Sequence, residues 1–238
     1  MTEGKRMNLY AIGDLHLPGG DDKPMNVFGD HWEGHFERIC ADWRERVTDD
    51  DLVLIPGDIS WAMQLDHARP DLAAIAALPG RKVILKGNHD YWWTSITQVR
   101  TAIGETMRAV QNDAVDLGDV VVCGSRGWVI PTKDTQLSPE DERITARELL
   151  RMEMSLQAAR KLAGERPVIA MMHFPPLYDL ERDTAFTQLA ERYGVHTLVY
   201  GHLHGAGIRV AYNGEWNGVH YRLVSCDALD FSLAQIEL

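Results

Sequence analysis

Positive charge is scarce in this 238-residue chain: 24 lysines and arginines stand against 35 aspartates and glutamates, a formal net charge of −11. That balance disfavours a protein that grips nucleic acid by neutralising its phosphates, so no long nucleic acid is expected as a partner. An anionic substrate would need a local source of positive charge. Cysteine is also sparse. Cys40, Cys123 and Cys226 are odd in number, far apart and set in apolar or amphipathic surroundings. They predict buried, reduced thiols and exclude a disulfide framework or a cysteine-based zinc site. No apolar run approaches the length of a membrane span, and the opening "MTEGKRMNLYAIGD" lacks the extended apolar stretch of a secretory leader. A cytoplasmic protein with no membrane partner is the expectation. No repeat, low-complexity tract or linker divides residues 1–238, which suits a single domain.

What is present is a short apolar run that ends in polar residues able to bind a metal, and it occurs five times. Residues 8–16, "NLYAIGDLH", end in Asp14 and His16; residues 51–58, "DLVLIPGD", end in Asp58. Residues 82–90, "KVILKGNHD", deliver Asn88, His89 and Asp90. Residues 167–173, "PVIAMMH", end in His173, and residues 196–204, "HTLVYGHLH", end in His202 and His204. Each run has the length and β-branched content of a buried strand, and helical-looking segments separate most of them. Buried strands alternating with helices imply a parallel or mixed α/β sheet whose strand ends share one edge, where ligands bind. Glycine precedes the first polar residue of four runs, at Gly13, Gly57, Gly87 and Gly201, and permits a sharp turn and close approach. A single histidine after a strand is ordinary, and Gly-Asp or Gly-Asn alone is turn chemistry. Five such endings in one chain point to a common site.

The donor set of imidazoles, carboxylates and one amide oxygen, without thiolate, suits Mn²⁺, Fe, Zn²⁺ or Co²⁺. Asp14, Asp58, Asn88, His16, His173, His202 and His204 make seven ligands, more than one ion needs. With one bridging carboxylate they divide into two sites of four, and two divalent ions against two aspartates supply the missing positive charge. Such a pair activates water and stabilises an in-line displacement at phosphorus. Protonating the leaving oxygen requires a group beside the ions, and His89, next to Asn88, suits that role, with Asp90 placed to orient its imidazole.

Taken in order, "DLH" at 14–16, "GD" at 57–58, "GNHD" at 87–90, "MMH" at 171–173 and "GHLH" at 201–204 resemble the calcineurin-like metallophosphoesterase superfamily. The resemblance implies a four-layer α/β/β/α sandwich with two metals at the sheet edges. It assigns one ion to Asp14, His16, Asp58 and His204 and the other to Asp58, Asn88, His173 and His202, with Asp58 bridging and His89 as the acid. Many relatives continue with GDxxDxG, whereas this chain reads "GDISWAMQLDHA", so Ser60, Trp61 and Met63 replace a segment that bears on substrate choice. "GDISWAM" with "GNHDYWW" resembles a bacterial subgroup of phosphohydrolases that names no substrate.

Trp61, Tyr91, Trp92 and Trp93 follow ligand motifs. Packing is expected for most, and Trp61 and Tyr91 are the candidates to wall a substrate pocket. His31 and His35 lie four apart in a helical-looking stretch but have no further ligand nearby, so a pocket-rim role is expected. Residues 138–163 read as a helical insertion capped by Ser138 and Pro139, from which Arg143 and Arg147 can reach a phosphate, and Arg126 in "GSRGW" is a similar candidate. Residues 207–229 read as a strand, a turn rich in Gly and Asn and a second strand, with His220 structural. These readings converge on a dinuclear phosphodiesterase, Mn²⁺ the expected metal, acting on a small nucleotide-like substrate. Phosphomonoesterase or protein phosphatase activity is the alternative. A metal-binding interaction scaffold, as in the retromer subunit that resembles these enzymes, is a third reading, weakened by the presence of His89 and a complete ligand set.

Overall fold

The structure, a computed structural model, describes residues 7–20, 25–133 and 136–238. Residues 1–6, on which part of the expectation about a leader rests, lie outside that set. All five expected strands form: β1 (Leu9–Ala11), β2 (Leu52–Ile55), β3 (Arg81–Ile84), and, further along, Val168–Met172 and Thr197–Tyr200. Between and after them come α1 (His35–Arg46), α2 (Leu65–Ala76), α3 (Ile96–Ala102), β4 (Met107–Ala109), β5 (Ala114–Asp116), β6 (Val121–Ser125) and α4 (Pro139–Ala163). The two later strands are β7 and β8, with α5 (Ala185–Arg192) between them, followed by β9 (Gly214–Trp216), β10 (Val219–Leu223) and β11 (Ala234–Ile236).

The strands make two mixed sheets, ordered β11-β1-β2-β3-β4 and β5-β6-β7-β8-β10-β9. β1 to β4 are parallel with β11 antiparallel at one edge. In the second sheet β6, β7, β8 and β10 are parallel, and β5 and β9 run antiparallel at the edges. Side chains two apart share a face, and both faces are apolar. Leu9, Ala11, Leu52, Leu54 and Val83 turn inward against Val122, Ile169, Met171 and Val199 of the other sheet. Tyr10, Val53 and Ile55 turn outward against Ile39, Trp43, Leu72 and Ile75 of α1 and α2. On the far side, Val168, Ala170, Met172 and Leu198 meet Met152, Leu156 and Ala159 of α4 and Phe186 of α5. Three cores between four layers give the α/β/β/α sandwich. At about 1.5–3 kcal/mol for each buried aliphatic side chain, this double-faced burial offsets the entropy of ordering such short strands.

α4 begins as the sequence implies: the Ser138 side chain accepts the Asp141 amide at 3.1 Å, and acidic residues occupy the first turn. It covers the second sheet as one of the outer layers. Two local expectations change. The stretch holding His31 and His35 is broken: Asp30–Trp32 is a 3-10 turn, Gly34 takes φ 58°, and α1 starts at His35. The hairpin is also tighter than its sequence suggests. Gly205–Val210 is a 3-10 helix, and the first strand is confined to Gly214–Trp216 because Asn217 and Gly218, both at positive φ, make a two-residue turn into β10.

Candidate metal centre and its cavity

β1, β2 and β3 of one sheet and β7 and β8 of the other release their chains at a shared edge. There Asp14, His16, Asp58 and His202 adopt left-handed backbone, with φ of 57°, 46°, 51° and 74°. Non-glycine residues rarely hold that conformation unless their surroundings compel it, and it concentrates at functional sites. Here bonds between loops compel it. The Asp14 amide donates to the Gly57 carbonyl and the His16 amide to the Asp58 carbonyl, both at 3.0 Å. The His202 amide donates to the Asp14 carboxylate at 3.0 Å, and the His89 amide to Asp58 Oδ1 at 2.8 Å. Two glycines make the approach possible: a Cβ at Gly87 would overlap the Asp58 carboxylate, and one at Gly201 would overlap that of Asp14.

The donor atoms converge. His16 Nε2 and His204 Nε2 face each other at 3.4 Å, and His204 Nε2 lies 3.5 Å from Asp14 Oδ1. Asp58 Oδ2 stands between two imidazoles, 3.4 Å from His173 Nε2 and 3.9 Å from His16 Nε2. His173 Nε2 is also 2.7 Å from Asn88 Oδ1. Asp14, His16 and His204 form one group able to hold a cation, and Asp14, Asp58 and His173 another. Within the second, Asp14 faces His173 Nδ1, which already bonds the Pro56 carbonyl at 3.1 Å, so Nε2 is the free donor and Asp58 and Asn88 its natural co-ligands. The His202 ring stands beside them, its centroid 5.1 Å from that of His173.

Electrostatics agree with a cation site. Burial works against the His204 imidazolium, yet Asp14 and Asp227 raise it to about 10. Burial likewise opposes the His173 imidazolium, and Asp58, then Asp14, raise it to about 9. Burial opposes ionisation of Asp14, but His204, His173 and His16 hold its carboxyl well below the usual range. Burial is the largest cause at His16 and His202, helped by neighbouring imidazoles, and pushes both down to about 4, so their rings are neutral and ready to ligate. Without an ion the carboxylates draw protons onto His173 and His204. The oxygen and nitrogen donors fit a divalent ion such as Mn²⁺, Fe, Zn²⁺ or Co²⁺.

Asp90 does not orient His89, contrary to the expectation from sequence. It is fully buried, and its Oδ1 accepts the Ile59 and Ser60 amides at 2.9 and 3.2 Å and Trp92 Nε1 at 2.9 Å, while Oδ2 accepts the Gly87 amide at 2.7 Å. Its oxygens are occupied in clamping the loop after β2 to the loop after β3. His89 Nδ1 is buried without a hydrogen-bond partner. Its ring is placed by packing instead, 4.4 Å from the Trp61 ring, which itself stacks on His16 at 4.9 Å.

His16, His89 and His204 form one wall of a cavity of about 330 Å³, and Met25, Phe28, Trp32 and Trp61 form much of the rest. Tyr91, expected to wall the pocket, is not among its lining residues: it is 53% exposed, with its ring 6.2 Å from that of His89. Trp92 and Trp93 are buried and pack, as expected. His31 lines the cavity, whereas His35 Nε2 bonds the Leu15 carbonyl at 2.9 Å. Arg126 and Arg147 line a separate cleft, of which Arg143 forms no part. Cys40, Cys123 and Cys226 are buried and free. No helix among the described residues is long and apolar enough to cross a membrane.

Sequence reading missed Met25, Phe28 and Trp32 as cavity walls, and it missed Asp227. Asp227 Oδ1 accepts His204 Nδ1 at 2.8 Å, which leaves Nε2 as the metal-facing atom. A signal was available: residues 219–227, "VHYRLVSCD", are a sixth apolar run closing on a carboxylate.

Comparison with known proteins agrees with this geometry. Two solved structures share the fold along nearly the whole chain. One is a protein of unknown function from Aquifex aeolicus, 14% identical, with TM-score 0.51 and coverage of 97% of this chain and 96% of that one. The other is the phosphopantetheinyl hydrolase from Mycobacterium tuberculosis, 17% identical, with TM-score 0.57 and coverage of 98% and 96%. No match is found among curated protein sequences. The family model for calcineurin-like phosphoesterases matches residues 7–206, which span every candidate ligand, and the chain therefore belongs to the calcineurin-like phosphoesterase family of metal-dependent phosphohydrolases.

Proposed function

We propose that the chain hydrolyses a phosphodiester of a small, nucleotide-like molecule at a pair of divalent ions. Asp14, His16, Asp58 and His204 would hold one ion and Asp58, Asn88, His173 and His202 the other, with manganese the expected metal. When bound, the ions activate a water nucleophile and offset the charge on the phosphoryl oxygens. The residues do the rest. Asp227 keeps His204 in the ligating tautomer, and the Pro56 carbonyl does the same for His173. His89 gives its proton to the departing ester oxygen, held in place by Trp61. The reading extends to one domain over residues 1–238 working in the cytoplasm.

The observation that carries this function is the shared cavity: His16 and His204 of the candidate metal ligands, with His89, open onto the same space as Trp32, Trp61, Phe28 and Met25. An organic group seated there places its ester bond at the centre, and flat aromatic walls favour a flat group. The test is an assay of metal-stripped protein with Mn²⁺ restored, against chromogenic phosphate mono- and diesters, with His89→Ala alongside. Diester turnover that requires metal and falls about 10²- to 10⁴-fold in the variant is expected. Turnover of monoesters alone would replace the phosphodiesterase reading with a phosphatase, and metal-independent turnover would refute the mechanism.

A further inference from the structure

A second cleft, of about 220 Å³, lies between the loops that follow β3 and β4, the end of β6 and α4, and it is cationic in an acidic protein. Lys86, Arg126, Arg147 and Arg151 line it against a single carboxylate, Glu148. Glu148 is 1% exposed and already committed: Arg151 Nη1 donates to it at 2.6 Å, and Arg126 Nη2 lies 3.9 Å away. Arg126 is also braced from one side, its guanidinium 4.6 Å above the Trp128 ring. Arg147 has no hydrogen-bonding or ion-pair partner among the described residues.

Three positive charges therefore remain without a counter-charge among the lining residues. Structural arginines normally arrive with their carboxylates, because gathering like charges costs free energy that folding alone does not return. Ser125, at the end of β6, supplies an independent sign. It is 1% exposed, it lines the cleft, and its Oγ is buried without a hydrogen-bond partner. A buried hydroxyl is rarely left unpaired. Fork-shaped guanidinium donors and a hydroxyl around a small volume match a tetrahedral oxyanion.

The cleft is tied to the metal centre. Lys86 stands two residues before Asn88, and the Arg126 carbonyl accepts the amides of His173 and Phe174 at 3.1 and 3.0 Å. It shares no lining residue with the aromatic cavity, so the two are separate spaces.

We propose that this cleft is a binding site for a phosphate dianion distinct from the scissile one, held by Arg126, Arg147, Arg151, Lys86 and Ser125. The group is either a second phosphate carried by the substrate or free inorganic phosphate, and its identification with a substrate group rests on the phosphoesterase function proposed above.

The test has two arms on the full chain. In the first, inorganic phosphate is titrated calorimetrically into metal-stripped protein. Arg147→Glu, which removes one charge-assisted contact and adds a repelling carboxylate, is expected to weaken binding at least about tenfold, while Arg143→Glu, one helical turn away and outside the cleft, leaves it unchanged. No binding to the unaltered protein, or equal binding by Arg147→Glu, overturns the site. In the second arm, Mn²⁺-loaded enzyme is given a chromogenic phosphodiester with and without a terminal phosphate on a short alkyl tail. Preference for the doubly phosphorylated ester that collapses in Arg147→Glu identifies the substrate's own phosphate. Equal use of both esters, with phosphate binding lost in the variant, identifies free phosphate as the occupant. Phosphate binding with no turnover of either ester refutes the hydrolytic function and leaves the site standing.

Discussion

Replacing Asp90 by asparagine separates two roles for a carboxylate one residue from the proposed acid, His89. If Asp90 oriented His89, the variant would stay folded and lose turnover alone. The structure instead makes it a clamp with four N–H donors on two oxygens. Asparagine has one acceptor oxygen. With its NH₂ in place of Oδ2 the Gly87 amide loses its acceptor; with NH₂ in place of Oδ1 the Ile59 and Ser60 amides and the Trp92 indole all do. The cheaper arrangement still leaves a buried amide facing a new donor, two unsatisfied groups at about 1–3 kcal/mol each. A loss of about 2–4 kcal/mol follows after partial relaxation. Urea denaturation of the metal-stripped protein reads it as a fall in midpoint on the order of 1 M with unchanged slope. Because Asp90 ties the loop carrying Asp58 to the loop carrying Asn88, metal retention should fall with stability. A variant of unaltered midpoint and metal content, with only kcat reduced, would refute the clamp and restore the orienting role.

Asp227→Ala should leave the fold intact and weaken metal affinity about 10- to 100-fold, because His204 loses the acceptor of its Nδ1–H; equal metal content after dialysis against chelator would sink that assignment. Gly87→Ala places a methyl in the Asp58 carboxylate and should abolish stoichiometric metal binding, measured by metal analysis of the purified variant; full occupancy would mean the loops can part. In metal-stripped protein His173 and His204, raised to about 9 and 10 from 6.5, contribute stability that is complete below about pH 6.5 and lost as pH rises through 9 to 10. Thermal melts from pH 6.5 to 10 should decline more steeply without metal than with it, and parallel curves would contradict the two raised imidazoles. Metal binding at pH 7 should also release protons, seen as a dependence of binding heat on buffer ionisation enthalpy.

Much of the site was legible before any coordinates, because its signals are local. A strand with both faces buried reads as a continuous apolar run, and a turn that presses a carboxylate against backbone requires glycine, so "LVLIPGD" and "VILKGNHD" mark both the strand and the residues it delivers. The tight hairpin and the break at Gly34 were less legible, since a glycine beside apolar residues fits several backbone paths.

The amino-acid order by itself determined the five strands, their polar endings and the buried thiols, because apolar runs and turn chemistry are set within a few residues. Only the tertiary structure decided which polar atoms meet. His16 and His204 are 188 residues apart yet face each other, and Trp32 and Met25 join the site from segments with no motif of their own. Asp90 shows the converse: its neighbour in sequence is His89, but its oxygens accept the amides of Ile59 and Ser60 from another loop together with the Gly87 amide and the Trp92 indole, because a buried carboxylate bonds to the donors that burial places around it.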